Sequence, residues 1–507
     1  MTTYIVKRIL LMIPTLIFII LMIFGILQLA PGKPTMSGGG QDGAEQAQST
    51  EARESYRIFK RQFNFDKPVF LNLHYRLDVA DVSEKLEILA DHRLPVCPEG
   101  AEQAGICIPA GDKPKSSAVI DAQETVEDWG HYVVPELAQV AETHERIDVR
   151  VLALNQMSAN AKFQLKAHHT DDLSEEDEAY NKWAYRQNQK IGEWTLPADV
   201  SAQQVDAILS EKWEPWFDED SWKEGQKIGD HFHHDFQDKL AVTFADTRFA
   251  KYMANVIALD FGISHVDKQP ILPNLWEKMK VSMTLGFFSV FFAYLISVPL
   301  GVWSAYKQHT RADQVVTILL FMLYSLPSFF TAVLLLQWFT IGNPWDIFPT
   351  GGFVGDNADQ MTTLEYIGSV SYHMLLPVFC LTYGALASLS RYARTGLLDV
   401  IRADYIRTAR AKGLSEPMVI IKHAVRNGMI PILTLLGTLL PAIIGGSVVL
   451  EFVFNIPGMG LYLLNSITLK DYNAIMALSL ASAVLTLVGI LLSDISYAIV
   501  DPRISFD

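Results

Sequence analysis

The sequence predicts an all-α polytopic membrane protein that carries a sizeable folded domain outside the bilayer. Two observations lead there. Half of the 507 residues are hydrophobic while the net charge is -15, and the two properties are segregated along the chain. Residues 31–280 hold 27 Lys plus Arg against 43 Asp plus Glu, so this block contains the whole acidic excess. The remainder is close to neutral and strongly apolar, as membrane spans are.

Crossing about 30 Å of hydrocarbon takes about 20 apolar residues. Six stretches qualify: Ile9–Ala30, Val281–Ala305, Val315–Thr340, Tyr372–Leu389, Met429–Val449 and Ala474–Val500. The first follows Lys7 and Arg8 as a secretory signal would, but its apolar run is longer than a signal's core and no clear small-x-small site follows it. It reads as an uncleaved anchor.

Lys and Arg in short loops are retained on the cytoplasmic side. Alternate connections separate on this criterion. One set holds Lys7, Arg8, Lys307, Arg311, Arg391, Arg394, Arg402, Arg407, Arg410, Lys412, Lys422, Arg426 and Arg503; the opposite set, 342–368 and 451–473, holds only Lys470. Both termini are therefore expected in the cytoplasm, with the acidic block facing outward, into a periplasm where the cell has two membranes.

Within that block, residues 31–76 read as a leader, rich in Gly, Ser and Gln from Ser37 to Thr50. Residues 77–245 are too rich in Trp, Tyr and Phe for a disordered acidic tail. Ser174-x-x-Asp177 opens a helix that Gly192 closes, and Ser201-x-x-Gln204 caps another with Val205, Ile208, Leu209 and Trp213 on one face. Arg146–Ala167 carries two short β-branched runs compatible with strand or helix. A mainly helical domain that folds by itself is expected over 77–245. Its acidic surface would either attract basic peptides or a basic patch on a carrier protein, or simply keep the domain soluble. Cys97 and Cys107 lie close together in this block and can bond in an oxidising compartment, whereas Cys380 falls inside the fourth span as a small apolar filler.

The strongest local signal is the basic loop 391–428. Asp404–Lys412 is helical by composition, Gly413 breaks the backbone, Ser415 can cap a new helix, and Pro417 fits that helix's first turn. A helix-turn-helix lying along the cytoplasmic face results. Basic residues of this kind also serve simply to retain orientation, but that leaves the small residues Ala409 and Ala411 before Gly413 unexplained.

With these residues the chain resembles the permease subunits of ATP-binding cassette (ABC) peptide importers, in which this loop is the socket for the ATPase. Further resemblances are Arg61-Gln-Phe-Asn-Phe-Asp66-Lys-Pro68, Asp260-Phe-Gly262-Ile-Ser264, Glu451-Phe-Val-Phe-Asn-Ile-Pro457-Gly-Met-Gly460, Asp471-Tyr472 and Asp494-x-x-Tyr497-x-x-x-Asp501-Pro502-Arg503. The pattern is similar to the branch serving microcin C-like and other peptides. One departure is Arg407-Thr408-Ala409, where the generic importer loop has Glu-Ala-Ala; the peptide branch typically carries the basic form. The resemblance covers roughly 1–76 and 246–507, so 77–245 reads as a large insertion, and 246–507 as the permease core.

What the resemblance implies is specific. The fold is the six-helix type I importer permease. Asp404, Arg407, Ala409, Ala411, Lys412, Gly413, Leu414 and Ser415 would meet the ATPase. The partners are cytoplasmic ATP-binding cassette subunits, a second and different permease, a periplasmic solute-binding protein and the lipid membrane, with no nucleic acid. ATP and Mg would sit on the ATPase subunits; the sequence has no Gly-x-x-x-x-Gly-Lys-[Ser/Thr], and no cofactor or metal is assigned to this chain.

Candidates for lining a translocation pathway are Ser325, Pro327 and Ser328, where proline opens backbone groups, and Gly445, Gly446, Ser447 and Glu451. His373 and Asp494 are polar groups within spans, both near span ends, and a proton relay is the weaker reading. The clusters His168-His169 and His231-Phe-His233-His234 resemble metal ligands in type but lack a scaffold, and read as solvated surface. Two other classes make demands that the sequence does not meet. An ion-coupled transporter would need charges deep in the spans, and a membrane enzyme would need a nucleophile or metal constellation outside; neither stands out.

Overall fold

The computed structural model describes residues 2–29, 57, 60–61, 64–97, 107–165, 174–218, 236–264, 266–267, 269–342, 344–425, 428 and 447–500. The predicted fifth span, Met429–Val449, lies almost wholly outside them, as do both His clusters. The chain divides into two compact units. Met1–Ser37 with Phe261–Asp507 make a membrane unit, and Gly38–Asp260 make an inter-span unit.

Helix α1, Thr2–Leu29, is the first span. The inter-span unit then runs α2 Val79–Arg93, α3 Ser116–Asp128, α4 Val134–Thr143, α5 Ile147–Asn160, α6 Glu175–Gly192, α7 Ala202–Ile208, α8 Glu214–Asp218, α9 Phe236–Ala245 and α10 Arg248–Ala258. The anticipated caps hold. The Ser174 side chain accepts from Asp177 N at 3.1 Å, and Ser201 forms a capping box with Gln204. The ambiguous β-branched runs resolve as α5, which buries Val149, Val151, Leu152, Ala153, Leu154 and Met157. A helix buried on nearly all sides loses the alternation that distinguishes helix from strand in sequence. Around it α2 presents Val82, Leu86, Leu89 and Ala90, and α4 presents Leu137, Val140 and Ala141. An aromatic corner closes the core, with Trp213 edge-on to Trp194 at 5.0 Å and to Trp216 at 5.3 Å. Cys97 and Cys107 are disulfide-bonded, their Cα atoms 4.9 Å apart.

The compact unit extends beyond 77 and 245. Residues 64–76 and 246–260 pack within this unit around buried Asp246. Its carboxylate accepts from Lys67 at 3.0 Å, the Asn72 amide at 3.1 Å and the Tyr132 hydroxyl at 2.8 Å. Backbone bonds run from Asn72 N to Thr243 O (3.0 Å) and from Arg248 N to Pro68 O (2.9 Å). Part of the supposed leader is thus a structural floor, built from chain on both sides of the body it supports.

One partly buried acid in the body titrates in an unusual range. Burial pushes the Glu136 carboxyl up to about 7 from 4.5. The folded state therefore keeps a proton that the unfolded chain releases, and stability falls as pH rises from about 4.5 to about 7. Glu136→Gln, isosteric with the protonated acid, is expected to raise the melting midpoint of residues 64–260 by about 2–4 °C or more at pH 8. At pH 4.5 the variant and parent should melt together, as read by circular dichroism.

The membrane unit continues with α11 Ile271–Tyr306, α12 Arg311–Ser325, α13 Ser328–Phe339, α14 Thr363–Ile401, α15 Asp404–Ala411, α16 Glu416–Met418, α17 Val448–Val453, α18 Met459–Thr468 and α19 Tyr472–Val500. A π-helical turn, Val419–Val425, follows α16. Among the described residues four helices are long and apolar enough to cross a membrane, within α1, α11, α14 and α19. The third predicted span is not straight. It is the pair α12 and α13, bent by 90° at Leu326–Pro327, where proline cannot donate to the helix ladder.

Helices α11 and α14 pack along a stripe of small residues. Ser282, Ser289, Ala293, Ser297, Gly301 and Ser304 of α11 are buried at intervals of three to seven, and the two helices trade side-chain to backbone bonds. Thr382 Oγ1 donates to Ser289 O and Ser390 Oγ to Ser297 O, both at 3.3 Å. At Gly301 a Cβ would stand 2.4 Å from Ala393 Cβ and 2.5 Å from Ser390 O, so only glycine permits this approach. Arg8 of α1 meets Asp494 of α19 at 2.8 Å, which gives the span-end acid a charged neighbour.

Candidate functional site

The loop after α14 folds as the anticipated helix-turn-helix. Helix α15 is amphipathic over two turns. Ile406 and Ala409 turn inward onto Ala305, Leu397, Val419, Ile420 and Ala424, while Asp404, Tyr405, Arg407, Thr408, Arg410 and Ala411 stay exposed. Gly413 has φ +78°, the left-handed conformation that ends helices and favours glycine, and its N–H donates to Arg410 O at 2.9 Å. A Cβ there would meet nothing within 4 Å, so backbone conformation, not packing, calls for the glycine. Ser415 is extended at the start of α16 but, against expectation, its side chain makes no capping bond; Pro417 sits in the first turn.

Two further features of this loop differ from expectation. Ala409 does not offer a small surface to a partner; it is buried in the apolar cluster with Leu397, Val419 and Ile420. Ala411, Lys412, Gly413, Leu414 and Ser415 remain exposed. The second is a strap across the turn, Arg410 to Glu416 at 2.6 Å. At the surface such a pair contributes about 0–1 kcal/mol, but it fixes the turn's shape. Its signal was the placement of the two charges three residues before and after Gly413.

A buried ionic node sits one layer above. Asp313, near the start of α12, accepts from Arg394 of α14 at 2.9 Å, from His309 N at 3.2 Å and from the Ser304 hydroxyl of α11. Three helices are pinned there beside the loop. In sequence, Arg394 carries only the mark of a topology charge.

The pathway candidates separate. Gly445 and Gly446 lie outside the described residues. Ser325 and Ser328 flank the bend at Pro327, and Ser325 Oγ donates back to Phe321 O at 2.8 Å. The carbonyl of Leu326 at the bend is instead satisfied by the Tyr383 hydroxyl of α14 at 3.0 Å, and Tyr383 also bonds Thr331 at 2.8 Å. Nothing in the sequence singled out Tyr383. Ser447 begins α17.

Glu451 is a correction. It is fully buried and lines nothing. Its carboxylate accepts from the Ser282 hydroxyl at 2.8 Å, Leu461 N at 2.9 Å and Ser447 N at 3.1 Å. Cβ atoms on Gly458 or Gly460 would fall 2.6 and 2.9 Å from its carboxyl group. The Glu451-to-Gly460 motif is thus a turn wrapped around its own acid. Removing the acid strands several buried donors at about 1–3 kcal/mol each. Glu451→Ala is expected to lower the amount of folded subunit in the membrane severely, and Glu451→Gln mildly, as read by detergent-extracted monodisperse protein. Nearby, the Ser264 hydroxyl donates to buried Asp471, which also accepts from Ala474 N at 3.2 Å. Two motifs about two hundred residues apart in sequence meet there.

Apolar helices with a bent span, a small-residue seam and a basic surface hairpin define a polytopic membrane permease. The family of binding-protein-dependent transport system inner membrane components matches residues 297–506. The oligopeptide transport system permease protein AppB of Bacillus subtilis is 38% identical over 260 residues, 51% of this chain and 80% of that protein. The inner membrane ABC transporter permease protein YejB of Escherichia coli O157:H7 is 34% identical over 264 residues, 51% and 72% respectively. The dipeptide transport system permease protein DppB of B. subtilis is 34% identical over 254 residues, 50% and 77%. The chain belongs to this family of inner-membrane transport permeases.

Proposed function

We propose that this protein is the permease subunit of an ABC importer that moves peptides or peptide-like solutes inward across the inner membrane. The observation that carries the reading is the exposed face of α15 with its Gly413 turn, hung from the cytoplasmic end of a span helix. The peptide-transport names of its relatives support the cargo class. Cytoplasmic ATPase subunits grip the loop, a second, different permease completes the pathway, and an exported binding protein delivers the cargo. ATP and Mg are held by the ATPase, and this chain catalyses no bond chemistry.

In this reading the loop charges put both termini in the cytoplasm and the inter-span unit on the outside. The relatives match about half of this chain while the match covers 72–80% of them, which supports residues 77–245 as an insertion. Transport is a coupling free energy between the ATPase and the pathway. Affinity purification of the tagged subunit in mild detergent tests it. A co-purifying ATPase whose hydrolysis responds to peptide supports the reading, and its consistent absence favours an ion-coupled carrier.

A further inference from the structure

We propose that the floor of the inter-span unit, residues 68–73 with α9 and α10, lies on the bilayer surface, its outward apolar side chains set among lipid headgroups and upper acyl chains. The floor is amphipathic in the inverse sense of a water-facing surface. Its polar groups, Asp246, Asn72 and Lys67, point inward to Tyr132, and its large apolar groups point out. On α9 Phe236, Leu240 and Phe244 repeat every fourth residue on one face, the first 77% exposed. Beside them stand exposed Phe70, Leu71 and Leu73, and beyond them Ile257 at 78%. These segments are one surface. Phe249 N donates to Val69 O at 3.1 Å, Asn72 N to Thr243 O at 3.0 Å, and the Phe70 and Phe249 rings lie 5.6 Å apart. Among the described residues of the body, by contrast, the exposed large apolar residues Val96, Ile120, Ile147, Leu165 and Tyr185 are scattered singly, which is ordinary for a water-facing surface.

Leu259 sharpens the contrast. It ends α10 at φ 56°, a position that suits glycine or asparagine, yet it is a leucine 66% exposed. Water gives no reason for that choice; an apolar medium does. The chain itself points to the medium. Eleven residues separate Leu259 from Ile271, the first residue of membrane helix α11, a tether of at most about 42 Å. Lys239 stands exposed on α9 beside the apolar face, placed as interfacial helices place cations for phosphate headgroups, whereas Lys251 turns to Asp246 at 3.7 Å. The occupant is therefore the lipid surface rather than a protein partner. This inference rests on the membrane reading above but not on which side the unit faces.

The test uses the full chain in lipid nanodiscs, where both bilayer faces are open. In a Cys380→Ala background, an environment-sensitive fluorophore is attached at Phe244→Cys, at Ile257→Cys and, as a water-facing reference, at Tyr185→Cys. The expected result is blue-shifted emission at 244 and 257, quenched by shallow nitroxide lipids and spared by iodide, with the reverse at 185. Iodide quenching at 244 and 257 would overturn the proposal in favour of a solvated face. Protection from both quenchers would overturn it in favour of a protein cover. If one variant misfolds, the other carries the measurement. Reactivity of Tyr185→Cys with an impermeant thiol reagent in spheroplasts reads orientation separately, so a wrong topology is not confused with a wrong surface.

Discussion

A Gly413→Asp subunit is expected to reach the membrane at the parental level and to import nothing above the background of cells lacking the gene. The substitution acts in two ways that can be separated. Any side chain at φ +78° costs about 1–2 kcal/mol, which loosens the turn. A carboxylate there also adds a negative charge beside Glu416 and opposes the basic face of Arg407, Arg410 and Lys412 that would meet the ATPase. The open space around Gly413 means the fold of the spans is untouched. Gly413→Asn tolerates the left-handed conformation and carries no charge, so it should retain substantial uptake. Normal import by a stably expressed Gly413→Asp protein would remove the docking assignment.

The second large effect concerns Asp246. Burial works against its charge, yet Lys67 and the Tyr132 hydroxyl hold its carboxyl below the usual range. The stability it supplies is present above the unfolded pKa and is lost as pH falls through the folded one. Asp246→Ala leaves a half-buried ammonium and two donors without their acceptor, which costs about 3–5 kcal/mol and lowers the melting midpoint by about 6–20 °C. The same reasoning sets where the unit can be cut. Residues 64–260 should unfold cooperatively as a soluble fragment. Residues 77–245 lack Lys67, Asn72, Asp246 and Arg248 and should melt far lower or without cooperativity. Equal melts for the two fragments would show that the floor contributes nothing.

Much of the molecule was legible in sequence because its signals are local. Ser174 and Ser201 announce helices through side chains that reach only three residues ahead, and Gly413 announces a turn through its own φ. The hairpin 404–425 is written in signals of this kind. What stayed hidden depends on distant partners. Glu451 looked like a pathway group because an acid beside a span is conspicuous, and only the proximity of Ser282, Leu461 and two glycines reveals it as an internal peg. Tyr383 carries no local mark, since the carbonyl it satisfies is freed by a proline 56 residues earlier in the chain. Ala409 and Ala411 are alike in sequence, but the helical period sends one inward and the other out. Pro327 marks in sequence a place where backbone groups open, but not that the chain turns by 90° there.

The floor of the inter-span unit has a consequence for how such a chain could have been assembled. Asn72 and Thr243 share a backbone hydrogen bond of 3.0 Å, and Pro68 and Arg248 one of 2.9 Å. The strand of chain that leaves the floor and the one that returns to it therefore run side by side. Whatever lies between them, whether a four-residue turn or a whole helical body, departs and comes home through a single doorway. Cargo of this kind in a gene is length-neutral for its host, because lengthening a loop whose ends already touch changes closure entropy only logarithmically. Joining Arg76 to Lys239 through a short turn should leave the spans as they are, and the helical body becomes a module that selection could add, exchange or discard without re-engineering the permease.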